Sequence, residues 1–131
     1  MLINPYHIPE GITGTKEMTV TESDTAAAYG SGLVPVFATP AMIALMENTA
    51  QESVRRFLPE GYTTVGSRVD IQHFRPTPAG KKVICECSLD EVREAKLTFT
   101  VSASDEKGII GKGIHIRYII NQESFLKQIG M

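Results

Sequence analysis

The spacing of apolar and polar residues predicts one long helix followed by a series of strands. Over residues 39–58 the apolar positions recur at helical spacing, with Pro40 at the first helical position and Pro59 just beyond the end. After Pro59 the apolar residues alternate with polar ones, which is typical of strands. The strand-like runs are 62–75, 81–93, 96–104 and 109–120.

Shorter elements flank this series. A first strand is predicted at 13–20, a short helix closed by Gly30 at 23–29, and another short helix at 122–129. The turns PTPAG at 76–80 and DEKG at 105–108 separate strands, and a weaker turn signal lies at 92–96. No repeat or linker interrupts the pattern, so the sequence predicts a single α+β domain over residues 1–131.

A single long helix among about five strands buries its apolar stripe most economically when an antiparallel sheet curls around it. This arrangement is the hot-dog fold. Such a sheet commonly leaves a strand edge and a face that can pair with a second copy of the chain. A homodimer is therefore expected.

Composition and charge narrow the classes of function. The 131 residues are 42% apolar, as in one ordinary soluble domain. Thirteen basic against fifteen acidic residues give a formal charge of −2, without the basic excess of a nucleic-acid binder. No apolar run approaches the roughly 18 to 20 residues of a membrane span, and the first residues lack a signal-peptide pattern. We expect a cytoplasmic protein that binds neither nucleic acid nor membrane.

The two cysteines predict buried, reduced thiols rather than a metal site. Cys85 and Cys87 are two apart in a strand-like run, so their side chains share one face about 7 Å apart, which does not suit a disulfide. A metal site is the poorer alternative, because there is no second cysteine pair and the three histidines are scattered. We expect no metal and no cofactor.

Glu47 interrupts an apolar stripe of the long helix. Spacings of four, four, three and four place five residues on one face: Thr39, Ile43, Glu47, Ala50 and Val54. A carboxylate that loses hydration there costs stability unless it finds a hydrogen-bond partner or takes part in chemistry. The alternative is a partly exposed residue at the margin of the stripe.

His73 also falls on an apolar face, because alternation places it beside Val69 and Ile71. Taken alone, a satisfied core or edge histidine is the more common outcome. A shared site would explain Glu47 and His73 together, since each costs stability in an apolar setting. The two residues therefore indicate an acid/base pair.

Thr39 opens the long helix, where its hydroxyl would serve as an N-cap whether or not it reacts. A helix N-terminus also offers unpaired N–H groups to a developing oxyanion. Eight residues of helix separate Thr39 from Glu47 by about 12 Å, so both can touch one elongated thioester but not one atom.

Gly66 precedes the alternating part of the His73 strand, where a glycine indicates a bulge or a close-approaching ligand. His115 and Arg117 share one face of the last strand, opposite four residues that are expected to form its core side. On that pattern Arg117 is a solvated residue. The expected core residues are Ile114, Ile116, Tyr118 and Ile120.

Three blocks of the chain resemble the fluoroacetyl-CoA thioesterase family. They are VFATPAMIALMENTA at 36–50, GSRVDIQHFRPTPAG at 66–80 and GKGIHIRYII at 111–120, in the family's order. The resemblance implies a hot-dog dimer with active sites at the subunit interface, which hydrolyses acyl-CoA thioesters with Thr39, Glu47 and His73. It also implies that Gly66 stands near the thioester carbonyl and that Arg117 supports the site or binds CoA.

The sequence departs from the family just before the long helix. The fluoroacetyl-specific member carries two phenylalanines that gate and line its acyl pocket, and Gly30 and Leu33 stand at those positions. The resemblance therefore implies the reaction class and a substrate-binding position at Leu33, but not fluoroacetyl specificity. Two other readings stay open: an acyl-CoA hydratase or dehydratase, and a non-catalytic acyl-CoA binding protein.

Overall fold

Five antiparallel strands and one long helix make up most of residues 4–131, the part of the chain that this computed structural model describes. The α+β class is as predicted, and each predicted strand is found within two residues of its expected ends. The strands are β1 Thr13–Thr19, β2 Tyr62–His73, β3 Lys82–Arg93, β4 Lys96–Asp105 and β5 Gly108–Asn121. The α-helices are α1 Ala26–Tyr29, α2 Thr39–Val54 and α3 Gln122–Gln128.

The strands form one sheet in the order β1-β3-β4-β5-β2, and every neighbouring pair is antiparallel. Among residues 4–131, strand β2 therefore lies at an edge and pairs only with β5. Its register shifts between Gly66 and Arg68, where a bulge interrupts the ladder. The glycine in this strand thus marks the bulge that the sequence indicated.

Helix α2 differs from its prediction at both ends. Ala38 is the N-cap and provides no side-chain capping bond, so the N-cap role expected for Thr39 is wrong. The α-helix ends at Val54 and continues as a 3₁₀ turn over Arg55–Phe57, a few residues before the predicted end. No helix within residues 4–131 is long and apolar enough to span a membrane.

The core lies between α2 and the inner face of the sheet. Strands β3 and β4 alternate buried and more exposed residues along most of their length, as expected for strands with one covered face. Both cysteines are buried and free, and burial raises the pKa of the Cys85 thiol to about 11. The inward side chains of these strands are Val83, Cys85, Cys87, Leu89, Leu97, Phe99, Val101 and Ala103.

The prediction for the two faces of β5 is wrong. His115 and Arg117 are buried on the helix side, whereas Ile114 and Tyr118 face outward and are 47% and 39% exposed. The helix-facing row of β5 also contains Gly111, where a Cβ would lie 2.6 Å from Cε of Met42 on α2. The close approach of the helix leaves no room for a bulky side chain at Gly111. The apolar alternation through Ile114 and Tyr118 therefore lies on the outer face, although Ile119 belongs to the core.

Candidate active site

Thr39 and His73 form the first polar pair of the site. Thr39 is the first residue of α2 and His73 is the last residue of β2, and Thr39 Oγ1 lies 2.8 Å from His73 Nδ1. The hydroxyl is available for this bond because it does not cap the helix. The ring of Phe37 packs edge-on against the imidazole, with centroids 6.5 Å apart, and restricts its orientation.

In the described part of the chain, the other nitrogen of His73 lacks the hydrogen bond that a buried polar atom usually makes. Nε2 is buried and has no hydrogen-bond partner within residues 4–131. Burial lowers the pKa of His73 by more than the nearby backbone of Arg75 raises it, so the imidazole is neutral at pH 7 and one of its nitrogens can accept a proton. A buried polar atom without a partner is uncommon in a folded protein and is typical of functional sites.

A cavity of about 350 Å³ adjoins this pair. It lies between the connection from α1 to α2 and the segment that follows β2. Its apolar lining comes from both sides, and the Thr39 and His73 side chains supply polar groups in its wall. The lining residues are Ala26, Ser31, Val36, Phe37, Thr39, His73, Phe74, Arg75 and Pro76.

Glu47 lies two turns further along α2, in a second polar cluster. Its Oε2 is 3.5 Å from Nη1 of Arg117 and 4.0 Å from Nε2 of His115. The Glu47 side chain is 42% exposed, which places it at the margin of the apolar stripe rather than within it. The carboxylate therefore has a cationic partner and also a side open to ligand.

Arg117 is buried and its guanidinium is held on several sides. Nε donates to the Thr64 hydroxyl at 2.8 Å, and Nη2 donates to the Thr64 carbonyl at 2.9 Å. Nη1 lies 3.2 Å from Nε2 of His115. Burial lowers the pKa of Arg117 and the Glu47 carboxylate opposes that shift, but a guanidinium stays charged in proteins. Arg117 is thus a fixed cation beside Glu47 rather than the solvated residue that the pattern suggested.

Gly66 makes room for the Glu47 carboxylate. It pairs with Arg117 across the β2–β5 ladder, and a Cβ at this position would lie 2.5 Å from Oε2 of Glu47. Any larger residue would displace the carboxylate or the strand. The glycine is therefore explained by both a bulge and a close contact.

The structure brings the expected residues together in two groups rather than one. Thr39 contacts His73, and Glu47 contacts Gly66 and Arg117. The two groups lie along the inner side of β2, where Val69 and Ile71 separate Gly66 from His73. Within residues 4–131, no hydrogen bond or ion pair joins Glu47 to His73.

Leu33 stands apart from both groups. Its side chain is 96% exposed and does not line the cavity, whereas Ser31 and Val36 do. Sequence reasoning missed His115, which contacts Arg117 and lies close to Glu47. The available signal was a histidine and an arginine two residues apart on one face of a strand.

A profile of the family described as fluoroacetyl-CoA-specific thioesterase matches residues 20–123, most of the chain. The chain belongs to this family. The fluoroacetyl-CoA thioesterase of Streptantibioticus cattleyicolor is 34% identical to it over 90 residues, which are 69% of this chain and 65% of that relative's length. The chain thus aligns with slightly less than two thirds of this thioesterase relative.

Solved structures agree with the family assignment. A structure of the fluoroacetyl-CoA thioesterase FlK matches with a TM-score of 0.86 and 29% identity, over 92% of this chain and 94% of that one. A Thermus thermophilus protein described as a thioesterase superfamily member matches with a TM-score of 0.84 and 28% identity, over 93% of each chain. A hot-dog-like protein of Thermanaerovibrio acidaminovorans, 24% identical, shares the fold at a TM-score of 0.86 over 93% and 90% of the chains. The predicted hot-dog fold is confirmed.

Proposed function

We propose that this member of the thioesterase family hydrolyses small to medium acyl-CoA thioesters to the free acid and CoA, with Thr39, Glu47 and His73 as catalytic residues. The observation that carries the proposal is the hydrogen bond between Thr39 and a neutral His73 in the wall of a cavity. In a family of thioesterases, such a pair suits proton transfer during attack on a thioester. Gly66 and Arg117 support Glu47 in the second polar cluster.

In the proposed reaction, water attacks the thioester carbonyl carbon, the C–S bond breaks and CoA leaves as a thiol. His73 accepts the proton of the water and returns a proton to the leaving sulfur. Thr39 orients the thioester, and N–H groups near Gly66 or at the start of α2 stabilise the oxyanion. The reaction uses only side chains and water, so no cofactor is part of the proposal.

Glu47 takes part either as a general base that activates the water together with His73, or as a nucleophile. In the second case its oxygen attacks the carbonyl carbon, the C–S bond breaks and CoA leaves as a thiolate. Water then hydrolyses the mixed anhydride, which restores the carboxylate, releases the acid and supplies the proton of the CoA thiol. Both roles need a carboxylate close to the carbonyl carbon. Single turnover in oxygen-18 water separates them. Incorporation of the label into the Glu47 carboxylate would reject the purely general-base version.

Free-thiol release from a panel of short-chain and aromatic acyl-CoAs tests the reaction class. A thioesterase releases CoA from at least one member of the panel. An acyl-CoA binding protein releases no CoA, and its melting temperature rises when the ligand is added. A hydratase instead changes the absorbance of an enoyl-CoA without releasing thiol.

Variants of His73 and Glu47 test the assignment of residues. His73→Ala and Glu47→Ala are each expected to lower kcat/KM at least about 100-fold, the usual range for loss of a positioned acid or base. Glu52→Ala is the matched control, since Glu52 lies on the same helix and pairs only with the exposed Lys16. Full activity in either test variant would remove that residue from the mechanism.

We further propose a homodimer whose sites contain residues of both chains. No strand in the described part of the chain, 4–131, pairs with the outer edge of β2, and Val69 on its inner face is 42% exposed. An edge of this kind favours pairing with a second copy. A partner could also bring Glu47 of one copy towards Thr39 and His73 of the other. A stable, fully active monomer of 14.3 kDa in sedimentation would contradict the dimer.

A cytoplasmic location completes the proposal. Two free, buried thiols suit a reducing compartment, because cysteines in proteins there stay reduced. Fractionation of cells with an antibody to the protein tests this location. Recovery outside the cytoplasmic fraction would contradict it.

A further inference from the structure

His115 lies at the centre of the Glu47 cluster, yet the proposed reaction gives it no part. It is 1% exposed and comes from the middle of β5. Its Nδ1 lies 2.8 Å from the carbonyl oxygen of Arg68 on β2, and its Nε2 lies 3.2 Å from Nη1 of Arg117. The ring stacks on Phe99 of β4, with the planes 26° apart.

These contacts determine the tautomer of His115. A backbone carbonyl can only accept a hydrogen bond, so Nδ1 must carry the proton that bonds to Arg68. A guanidinium can only donate, so Nε2 must be the unprotonated acceptor for Arg117. An imidazolium would turn Nε2 into a donor that faces another donor.

The charged groups around the ring favour the same neutral form. Arg117 on the same strand and Glu47 on α2 face Nε2, while β2 contributes a backbone carbonyl and β4 the uncharged ring of Phe99. Burial lowers the pKa of His115 and Arg117 lowers it further, whereas the hydrogen bond to the Arg68 carbonyl and the more distant Glu47 raise it by less. His115 is therefore neutral at pH 7.

The hydrogen bond to His115 is the third contact that holds the Arg117 guanidinium in one orientation. Thr64 accepts from Nε and from Nη2, and His115 accepts one N–H of Nη1. The remaining N–H of Nη1 is on the side of Glu47, whose Oε2 is 3.5 Å away. A planar guanidinium held at three nitrogens has one orientation, and that orientation faces the carboxylate.

We propose that His115 is a positioning residue: as a neutral acceptor it orients Arg117, and Arg117 in turn orients the Glu47 carboxylate. The role rests on the proposed thioesterase function. A neutral acceptor is required because a buried carboxylate in its place would form its own ion pair with Arg117 and compete with Glu47. An apolar residue would leave an N–H of Arg117 buried without a partner.

Two substitutions separate positioning from packing. His115→Phe fills a similar space against Phe99 but accepts no hydrogen bond, whereas His115→Gln can place its amide oxygen near the position of Nε2. We expect His115→Phe to lower kcat about 30-fold with little change in KM, since an interaction made mainly in the transition state is lost. His115→Gln should recover most of kcat. If the Phe variant does not fold, His115→Asn replaces it, because its shorter amide does not reach Arg117.

A double-mutant cycle with Arg117→Lys tests whether His115 acts through Arg117. The double variant should then be no slower than the slower single variant. Additive losses, a Phe variant with normal kcat, or equal losses in the Phe and Gln variants would each overturn the proposal.

Nitrogen-15 NMR of the imidazoles gives a readout that does not depend on turnover. Comparison with His115→Gln assigns the resonances of His115 among the three histidines of the chain. We expect the neutral form with the proton on Nδ1 at pH 7. An imidazolium or the Nε2–H tautomer would overturn the positioning role. If no acyl-CoA releases thiol, the proposed function fails, whereas the tautomer is still decided by NMR.

Discussion

Glu47 and Gly66 share a contact that only glycine allows. A Cβ at residue 66 would lie 2.5 Å from Oε2 of the carboxylate and 3.3 Å from Nη1 of Arg117. Gly66 does not have the positive φ that would itself require glycine, so the constraint is the close approach and not the backbone conformation. Helix α2 and strand β2 are therefore in contact here through the Glu47 carboxylate and the backbone of Gly66.

This contact predicts the effect of Gly66→Ala. The added methyl group pushes against the end of a flexible, partly exposed side chain, which can move at small cost in stability. The Glu47 carboxylate then leaves its place beside Arg117, and we expect kcat/KM to fall about 10- to 100-fold, as for other misplaced catalytic groups. Thiol release and thermal melting of the variant measure the two effects.

Gly113→Ala is the comparison for this experiment. A Cβ at residue 113 would collide with the backbone oxygen of Asp70 on the neighbouring strand, which cannot move without breaking the ladder. We expect this variant to lose stability first. A Gly66→Ala protein with unchanged kcat/KM would show that the carboxylate does not need this position.

The element bounds could be predicted because local signals agree with the final structure. Pro40 and Pro59 bracket the long helix, and turn residues separate strands whose alternation matches their burial on β3 and β4. His73 was identified by the same alternation. The position of Gly66 was also informative, because a glycine within a strand needs a local reason.

The inner face of β5 could not be predicted, because there the site overrides the apolar pattern. Gly113, His115 and Arg117 lie on the helix side, whereas Ile114 and Tyr118 face outward. An argument from periodicity assigns the more apolar face of a strand to the core. The assignment fails where buried polar side chains form hydrogen bonds with one another. The bond between Arg117 and Thr64 joins residues 53 positions apart, so no local sequence pattern indicates it.

The position of Thr39 after the N-cap residue leads to a prediction that separates catalysis from helix capping. Since Ala38 is the N-cap, Thr39→Ala removes no capping bond and should not incur the cost of about 1 kcal/mol that loss of an N-cap hydroxyl brings. Activity should fall about tenfold or more, because His73 loses its hydroxyl partner.

Thr39→Ser is the matched control, since it keeps the hydroxyl and should retain most of the activity. Thermal melting and thiol release of both variants give the measurement. An Ala variant as active as the unmodified protein would remove Thr39 from the mechanism, and a clear loss of unfolding free energy would restore its structural role.

The lining of the cavity beside His73 predicts a preference for acyl chains longer than acetyl. Leu33 is exposed and Gly30 has no side chain, so neither fills the cavity beside His73, which Ala26, Val36 and Phe37 line. Each methylene buried there contributes about 0.8 kcal/mol. We expect kcat/KM to be higher for chains of about four to six carbons, or for a branched or aryl acyl group, than for acetyl.

The measurement compares acetyl-, fluoroacetyl-, butyryl-, hexanoyl- and phenylacetyl-CoA under identical conditions. Val36→Phe provides a matched change in the lining and should move the preference back towards acetyl, because it reduces the volume of the cavity. A clear preference of the unmodified protein for fluoroacetyl-CoA over all the others would contradict the pocket argument.

The two neutral histidines predict how stability depends on pH. The folded-state pKa values of His73 and His115 are lowered, in each case first by burial, whereas in the unfolded chain both return to about 6.5. As the pH falls below about 6.5, the unfolded state binds protons that the folded state does not, so the free energy of unfolding decreases until the folded-state pKa is reached. Above about pH 6.5, neither histidine changes stability.

Urea unfolding between pH 7.5 and 5 should show this loss of unfolding free energy. The His115→Gln variant, which has no titrating group at residue 115, should show a smaller loss. Parallel curves for the two proteins would mean that His115 already takes up its proton in the folded state, and a stability that rises towards pH 5 would contradict a neutral, buried histidine at either position.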